Sequence, residues 1–192
     1  MKFGEKCMLI YDAILSEKKI LFSGGLDFSA DEIQEYVFAS AAIVSPPLIG
    51  ILTKLYPYAA LSNLDFLEEP GYIAGVTNPM FKQRSNWHDL CCEIDIGKLK
   101  VSRNEDFYEY SEQRYYQLDM DFIRPIIQRI RSNSINDEEI KKAFESYTLF
   151  IIDQALRDNT YRTDELIHDT DKIVDLMSER IKRLKRTHLF KV

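Results

Sequence analysis

From Tyr36 to Thr53 the chain runs for 18 residues without a charged side chain. That is close to the length a membrane-spanning helix needs. The Pro46-Pro47 pair lies inside it. The second proline removes a helical N–H and forces the residue before it out of the α region. These residues therefore predict a core helix ending near Ser45, a buried turn, and a second apolar segment. Such a stretch needs cover from other elements. A chain of 192 residues with 45% hydrophobic content is long enough to build that core.

The formal charge of −6 disfavours a general nucleic-acid binder. Cys7, Cys91 and Cys92 are odd in number and lack C-x-x-C spacing, so they read as free thiols in a reducing compartment. The residues that follow Met1 form a short, interrupted apolar run with no small-residue cleavage site, and no secretory signal is expected.

Periodicity divides the chain near residue 103. Residues 1–103 mix short apolar runs with amphipathic ones. Cys7 to Leu15 suits a buried helix, with a strand at Met8–Tyr11 as the alternative. Lys19 to Ser23 reads as a buried strand closed by Gly24-Gly25. Ser29-Ala30-Asp31-Glu32 is a capping box, and Ile33, Val37, Ala41 and Val44 follow at helical spacing. Ser62 to Asp65 predicts another short helix. Tyr72 to Val76 predicts a strand in which Gly75 permits close backbone approach. Leu90, Cys92 and Ile94 alternate, and Leu99 and Val101 follow Gly97, which predicts a hairpin. The expected fold is α/β, a mixed sheet flanked by helices, followed by an all-helical C-terminal part.

Residues 104–192 read as that helical part. Asn104 to Gln117 is acidic and tyrosine-rich and reads as a surface connection. Phe122, Ile123, Ile126, Ile127 and Ile130 share a helix face, with Pro125 expected only near the helix start. Asn136 and Glu139 predict a second capped helix whose inner face holds Ile140, Phe144, Tyr147 and Ile151. A last helix is expected from about Thr163 to Leu184. Residues 180–192 carry six basic side chains (Arg180, Lys182, Arg183, Lys185, Arg186, Lys191) and no acid, so the −6 hides a body of −12. Such a cluster favours an anionic membrane by about 1 kcal/mol per basic residue near the surface. It equally complements a helix C-terminus.

The search for chemistry is negative. Gly24-Gly25 precedes a helix N-terminus, where a phosphate would sit on free amides. The Lys-Ser/Thr pair of a P-loop is missing, however, and Asp27, Asp31 and Glu32 repel anions, so a tight turn is expected. His88, His168 and His188 are scattered without zinc-ligand spacing. His88 reads as a surface or strand-edge residue, and one of Cys91 and Cys92 is expected to face the core. Neither a metal nor a cofactor is called for.

Longer words in the sequence carry a resemblance. Ala13-Ile14-Leu15-Ser16-Glu17-Lys18-Lys19-Ile20-Leu21-Phe22-Ser23 resembles the hallmark of the central DENN region, an apolar helix stepping through a basic residue into a strand. The helix from Ser29, Leu55-Tyr56-Pro57-Tyr58, Leu64 to Leu67 and Gly71 to Pro79 continue it in order. Within that group, Gly75-Val76-Thr77-Asn78-Pro79-Met80-Phe81, then Trp87 and Asp89-Leu90-Cys91, look most like stabilisation-of-polarity-axis proteins. The resemblance covers residues 6–155 and, as a DENN module, lacks the upstream longin-like lobe. It implies guanine-nucleotide exchange on a Rab- or Arf-family GTPase in trafficking or polarity, or else a non-catalytic scaffold. Exchange needs no acid, base or nucleophile, because a partner that favours the nucleotide-free form weakens nucleotide binding reciprocally. The candidate partner-binding residues are Asn78, Phe81 and Trp87.

Overall fold

The computed structural model describes residues 2–25, 28–102 and 117–159, with side chains described through Gln154. Its centre is a five-stranded sheet in the order β2-β3-β1-β4-β5. Strand β1 is Lys19–Ser23, β2 Leu55–Tyr56, β3 Tyr72–Val76, β4 Leu90–Glu93 and β5 Lys98–Val101. The central strand β1 runs parallel to β3 (Ile20 opposite Ile73) and to β4 (Ile20 opposite Leu90). The β4–β5 hairpin makes the sheet mixed, with Cys92 opposite Leu99.

Parallel neighbours require crossover connections, and these cover the sheet faces. Helix α1 (Cys7–Leu15) leads into β1, and α2 (Ala30–Ala42) leaves it. Both pack on the face that carries Ile20, Phe22, Ile73, Leu90 and Cys92. On the opposite face Leu21, Tyr72, Ala74, Val76 and Cys91 meet Phe66, Ala59 and Phe81 of helix α3 (Pro79–Gln83). Cys91 and Cys92 thus enter different cores. The sequence expectation of one inward thiol is corrected: a strand covered on both faces buries both sides of its alternation.

Local signals explain the elements. Ser29 Oγ accepts from the Glu32 amide at 3.2 Å while Glu32 accepts from the Ser29 amide at 2.9 Å, so α2 begins with a reciprocal capping box. Helix α2 stops at Ala42, and the uncharged stretch then turns through cis Ser45-Pro46 and Pro46-Pro47 bonds into a 3₁₀ turn at Ile49–Lys54. Among the described residues no helix is long and apolar enough to cross a membrane. The short helix expected from Ser62 is a 3₁₀ turn at Asp65–Glu68.

Helices α4 (Gln117–Arg131) and α5 (Asp137–Asn159) complete the described residues. Asn136 and Glu139 exchange side-chain and backbone hydrogen bonds at 2.9 and 3.0 Å, the second reciprocal cap. Pro125 lies inside α4 rather than at its start. It is exposed, as is Asp121 four residues before it, so the carbonyl that loses its donor faces water. Ile123, Ile126, Ile127, Phe144, Tyr147 and Ile152 join the same core as α1. Helix α1 is therefore sandwiched between sheet and helices, and all its residues from Met8 to Leu15 are buried. The expected connection at 104–117, apart from Gln117, and the last helix lie outside the described residues.

Gly75 is where the sheet tolerates least change. A Cβ there meets the Pro57 carbonyl oxygen at 2.4 Å and Ile33 Cγ2 at 2.7 Å. We predict that Gly75→Ala destabilises the chain by about 1–3 kcal/mol, the usual cost of overpacking, read as a lower denaturant midpoint at constant slope. An unchanged midpoint would show that α2 and the Pro57 loop move apart freely.

Candidate interaction surface

In open α/β sheets, ligands and partners meet the loops at the carboxyl ends of the parallel strands. Here those ends are Ser23, Tyr56, Val76 and Glu93, followed by Gly24-Gly25, the Pro57–Ala60 segment, Thr77-Asn78 and Ile94-Asp95. The Gly24-Gly25 turn is closed to a phosphate. The Gly24 amide is already bonded to the Val76 carbonyl at 3.3 Å, and a Cβ at Gly24 meets Phe28 Cβ at 2.6 Å. The Glu32 carboxylate accepts from the amide and hydroxyl of the cap residue Ser29, and these bonds hold it below the usual carboxylate range.

The loops after β2 and β3 form a more open surface. Tyr58 Oη and Thr77 Oγ1 are hydrogen-bonded at 3.2 Å, which ties the two loops together. Asn78 Oδ1 accepts from the Met80 amide at 2.9 Å, so Asn78 caps α3 and Pro79 follows at the first helical position. Tyr58 is 48% exposed and Met80 42%. The geometry fixes two apolar side chains on a braced backbone at the sheet's carboxyl edge.

The three candidate residues part company. Asn78 is exposed and spends its side-chain oxygen on the cap. Trp87 is half-buried, packed edge-on against Phe81 at 5.3 Å, with the Arg84 guanidinium 5.9 Å from its ring centroid. Phe81 is fully buried, with Phe66 stacked 6.3 Å away, and its ring offers a partner no surface. Its contacts with Phe66 and Trp87 are core packing. Tyr58 and Met80 escaped the sequence reading because a lone tyrosine or methionine has no pattern; only the structure shows both exposed on the loops that the Tyr58–Thr77 hydrogen bond joins. The six basic residues from Arg180 to Lys191 lie outside the described residues.

The remaining reactive groups are sealed. His88 is buried, contrary to the surface reading, because the strand it precedes is interior; burial lowers its pKa, against the opposing charge of Asp89. Burial pushes the Cys91 thiol up to about 12, and Cys92 well above its ordinary value. Among the described residues no group of three or more His, Cys, Asp or Glu side chains is placed to hold a metal ion.

The family whose model matches is described as stabilization of polarity axis, and it covers residues 1–103. The chain belongs to the stabilization of polarity axis family. A relative of this polarity-axis chain is an AFI1-like protein from Schizosaccharomyces pombe, 38% identical over 100 residues, or 50% of this chain. That match spans 16% of the relative's length. These findings overturn the DENN-family assignment, and the inference of a missing longin-like lobe falls with it. The stretch that suggested DENN, Ala13 to Ser23, is the step from buried α1 into β1. Any buried helix feeding an interior parallel strand writes a similar apolar string, so that string does not separate families.

The polarity-axis chain is expected to keep Cys91 and Cys92 from a thiol reagent at pH 8 until it unfolds. Alkylation followed by peptide mass analysis checks this. Rapid labelling of either in the native chain would mean that one face of β4 opens to solvent.

Proposed function

We propose that this chain is a protein-docking module of the cell-polarity machinery, using the braced edge formed by Tyr58, Thr77, Asn78 and Met80, with Trp87 and Arg84 beside it. The exposure of Tyr58 and Met80 on loops locked by the Tyr58–Thr77 hydrogen bond carries the reading. A tyrosine held by a hydrogen bond loses little entropy on binding, methionine adapts its shape to a partner, and both residue types are enriched at interfaces. Membership in the polarity-axis family supports the cellular setting. The burial of Cys91, Cys92 and His88 favours docking over covalent catalysis.

A small GTPase of the Rab or Arf family is the partner class tested first, with fluorescent guanine nucleotide as the reporter. Binding without faster nucleotide release supports docking; release accelerated by this chain supports exchange. For a partner that binds, Tyr58→Asp with Met80→Asp is expected to weaken affinity at least tenfold, about 1.4 kcal/mol, without changing the unfolding midpoint. In a polarised cell, the same double variant of the parent protein is expected to lose its place at the growth site at normal abundance. Wild-type localisation of the variant would remove this edge from the proposal.

The basic tail is proposed to add peripheral contact with anionic membrane. Replacing Arg180, Lys182, Arg183, Lys185, Arg186 and Lys191 by serine is expected to abolish sedimentation with phosphatidylserine vesicles at physiological salt. Unchanged sedimentation would assign those residues to the protein's own charge balance.

A further inference from the structure

Strand β5 ends the sheet. It pairs with β4 on one side, and among the described residues no strand lies on the other. The Ser102 amide donates to the Asp89 carbonyl at 2.8 Å, and this bond sets the phase of the ladder. Hydrogen-bonded and open pairs alternate between antiparallel strands. The backbone groups of Lys98 and Lys100 are therefore turned toward Glu93 and Cys91 on β4. Those of Leu99 and Val101 are turned outward, and no described residue hydrogen-bonds to them.

The side chains of β5 divide by face. Leu99 and Val101 pack against the core that holds α1 and α2. Lys98 and Lys100 share the other face with their cross-strand partners Glu93 and Cys91, and both are exposed. Lys82 of α3 joins them from above. Glu93 Oε1 accepts from Lys100 Nζ at 2.7 Å, and Lys82 Nζ lies 3.7 Å from the same oxygen. The Glu93 side chain is 4% exposed and that of Lys100 63%, so the acid is enclosed while the ammonium group meets water. Asp95, in the hairpin turn, lies against Gly25 beyond the end of β1, not along β5.

We propose that the outer edge of β5 receives an extended acidic segment of a partner protein, added to the sheet as a further strand with carboxylates on alternate residues above Lys98 and Lys100. Strand addition draws affinity from main-chain hydrogen bonds and specificity from every second side chain. Residues two apart on a strand are separated by about 7 Å, so alternate carboxylates match the two lysines in register. Lysines on an edge strand deter indiscriminate pairing. A second copy of β5 would set lysine beside lysine, which is repulsive, whereas an acidic strand turns the same residues into contacts. The chain's net charge of −6 repels such a segment elsewhere, so charge selects this edge. It is the opposite sheet edge from β2 and the Tyr58 loop, and a second surface beside the one proposed above.

The probe is a fluorescein-labelled octapeptide of alternating glutamate and valine, added to the full chain and followed by anisotropy. Binding is expected to weaken with added salt. At saturation, hydrogen exchange at the Leu99 and Val101 amides is expected to slow at least about tenfold. The same peptide with alternate amides N-methylated keeps its charge but cannot pair along an edge, and is expected not to bind. Lys98→Ser with Lys100→Ser is expected to weaken binding at least about tenfold, while Tyr58→Asp with Met80→Asp leaves it unchanged. The exchange and N-methyl measurements use the wild-type chain, so they decide the matter even if a variant fails to fold. No binding, equal binding of the N-methylated peptide, or equal binding of an alternating lysine-valine peptide overturns the proposal. So does slow exchange at Leu99 and Val101 before any peptide is added, which would mean that the chain covers this edge itself. Slowing by phosphatidylserine vesicles but not by the peptide would give the lysines to a membrane and overturn it equally.

Discussion

Strand β1 has a parallel partner on each edge and apolar cover on each face. A five-residue segment in that position leaves the rest of the chain little choice. Both partners must return by crossovers, which places α2 over one face, beside α1 that leads into β1, and α3 over the other with the Asp65–Glu68 turn. The close approach at Gly75 follows from the same demand, because β3 has to lie flat under α2 with the Pro57 loop pressed against it. The two cores are separate clusters that share only the sheet, and β4 contributes to both through adjacent cysteines.

The exposed loop edge follows from that arrangement. With every strand except β5 parallel, the carboxyl ends gather at one side, and the loops after β2 and β3 become neighbours. Their hydrogen bond, and the cap that Asn78 makes for α3, brace the backbone that carries Tyr58 and Met80. The opposite flank of the molecule has another character. There α1 is covered by α4 and α5, and the polar groups it carries are enclosed instead of displayed. One flank offers apolar side chains to solvent, while the other buries ionisable ones. That contrast is why the proposed docking surface lies on the first.

Much of this was legible in the residues. The α/β class, the helix after Ser29, the strand at Tyr72–Val76 and the inner face of α5 all rest on periodicities that the structure keeps. The site was legible in part. Asn78, Phe81 and Trp87 were candidates because they lie beside a strand end where loops gather, but an aromatic beside a turn looks the same in sequence whether it points in or out, and Phe81 points in. Orientation depended on the second core, assembled from Phe66, Tyr72 and Phe81 across three segments. His88 was missed for the same reason, since its burial depends on what lies above the sheet. The family assignment erred where apolar strings were read as lineage, although the narrower polarity-axis words were well placed.

By itself the sequence determined what interactions within three or four residues decide: the two reciprocal caps, the hairpin at Gly97, and the end of α2 at the paired prolines. Those contacts form wherever the chain is, because their partners are covalently near. Only the tertiary structure decided the strand order, the burial of both adjacent thiols, and the hydrogen bonds of Tyr147 to Asp119 and of Tyr11 to Thr148, which lies 137 residues away. No local pattern specifies such encounters. They arise when the apolar faces of α1, α4 and α5 are driven out of water together, and polar groups carried on those faces are enclosed with them.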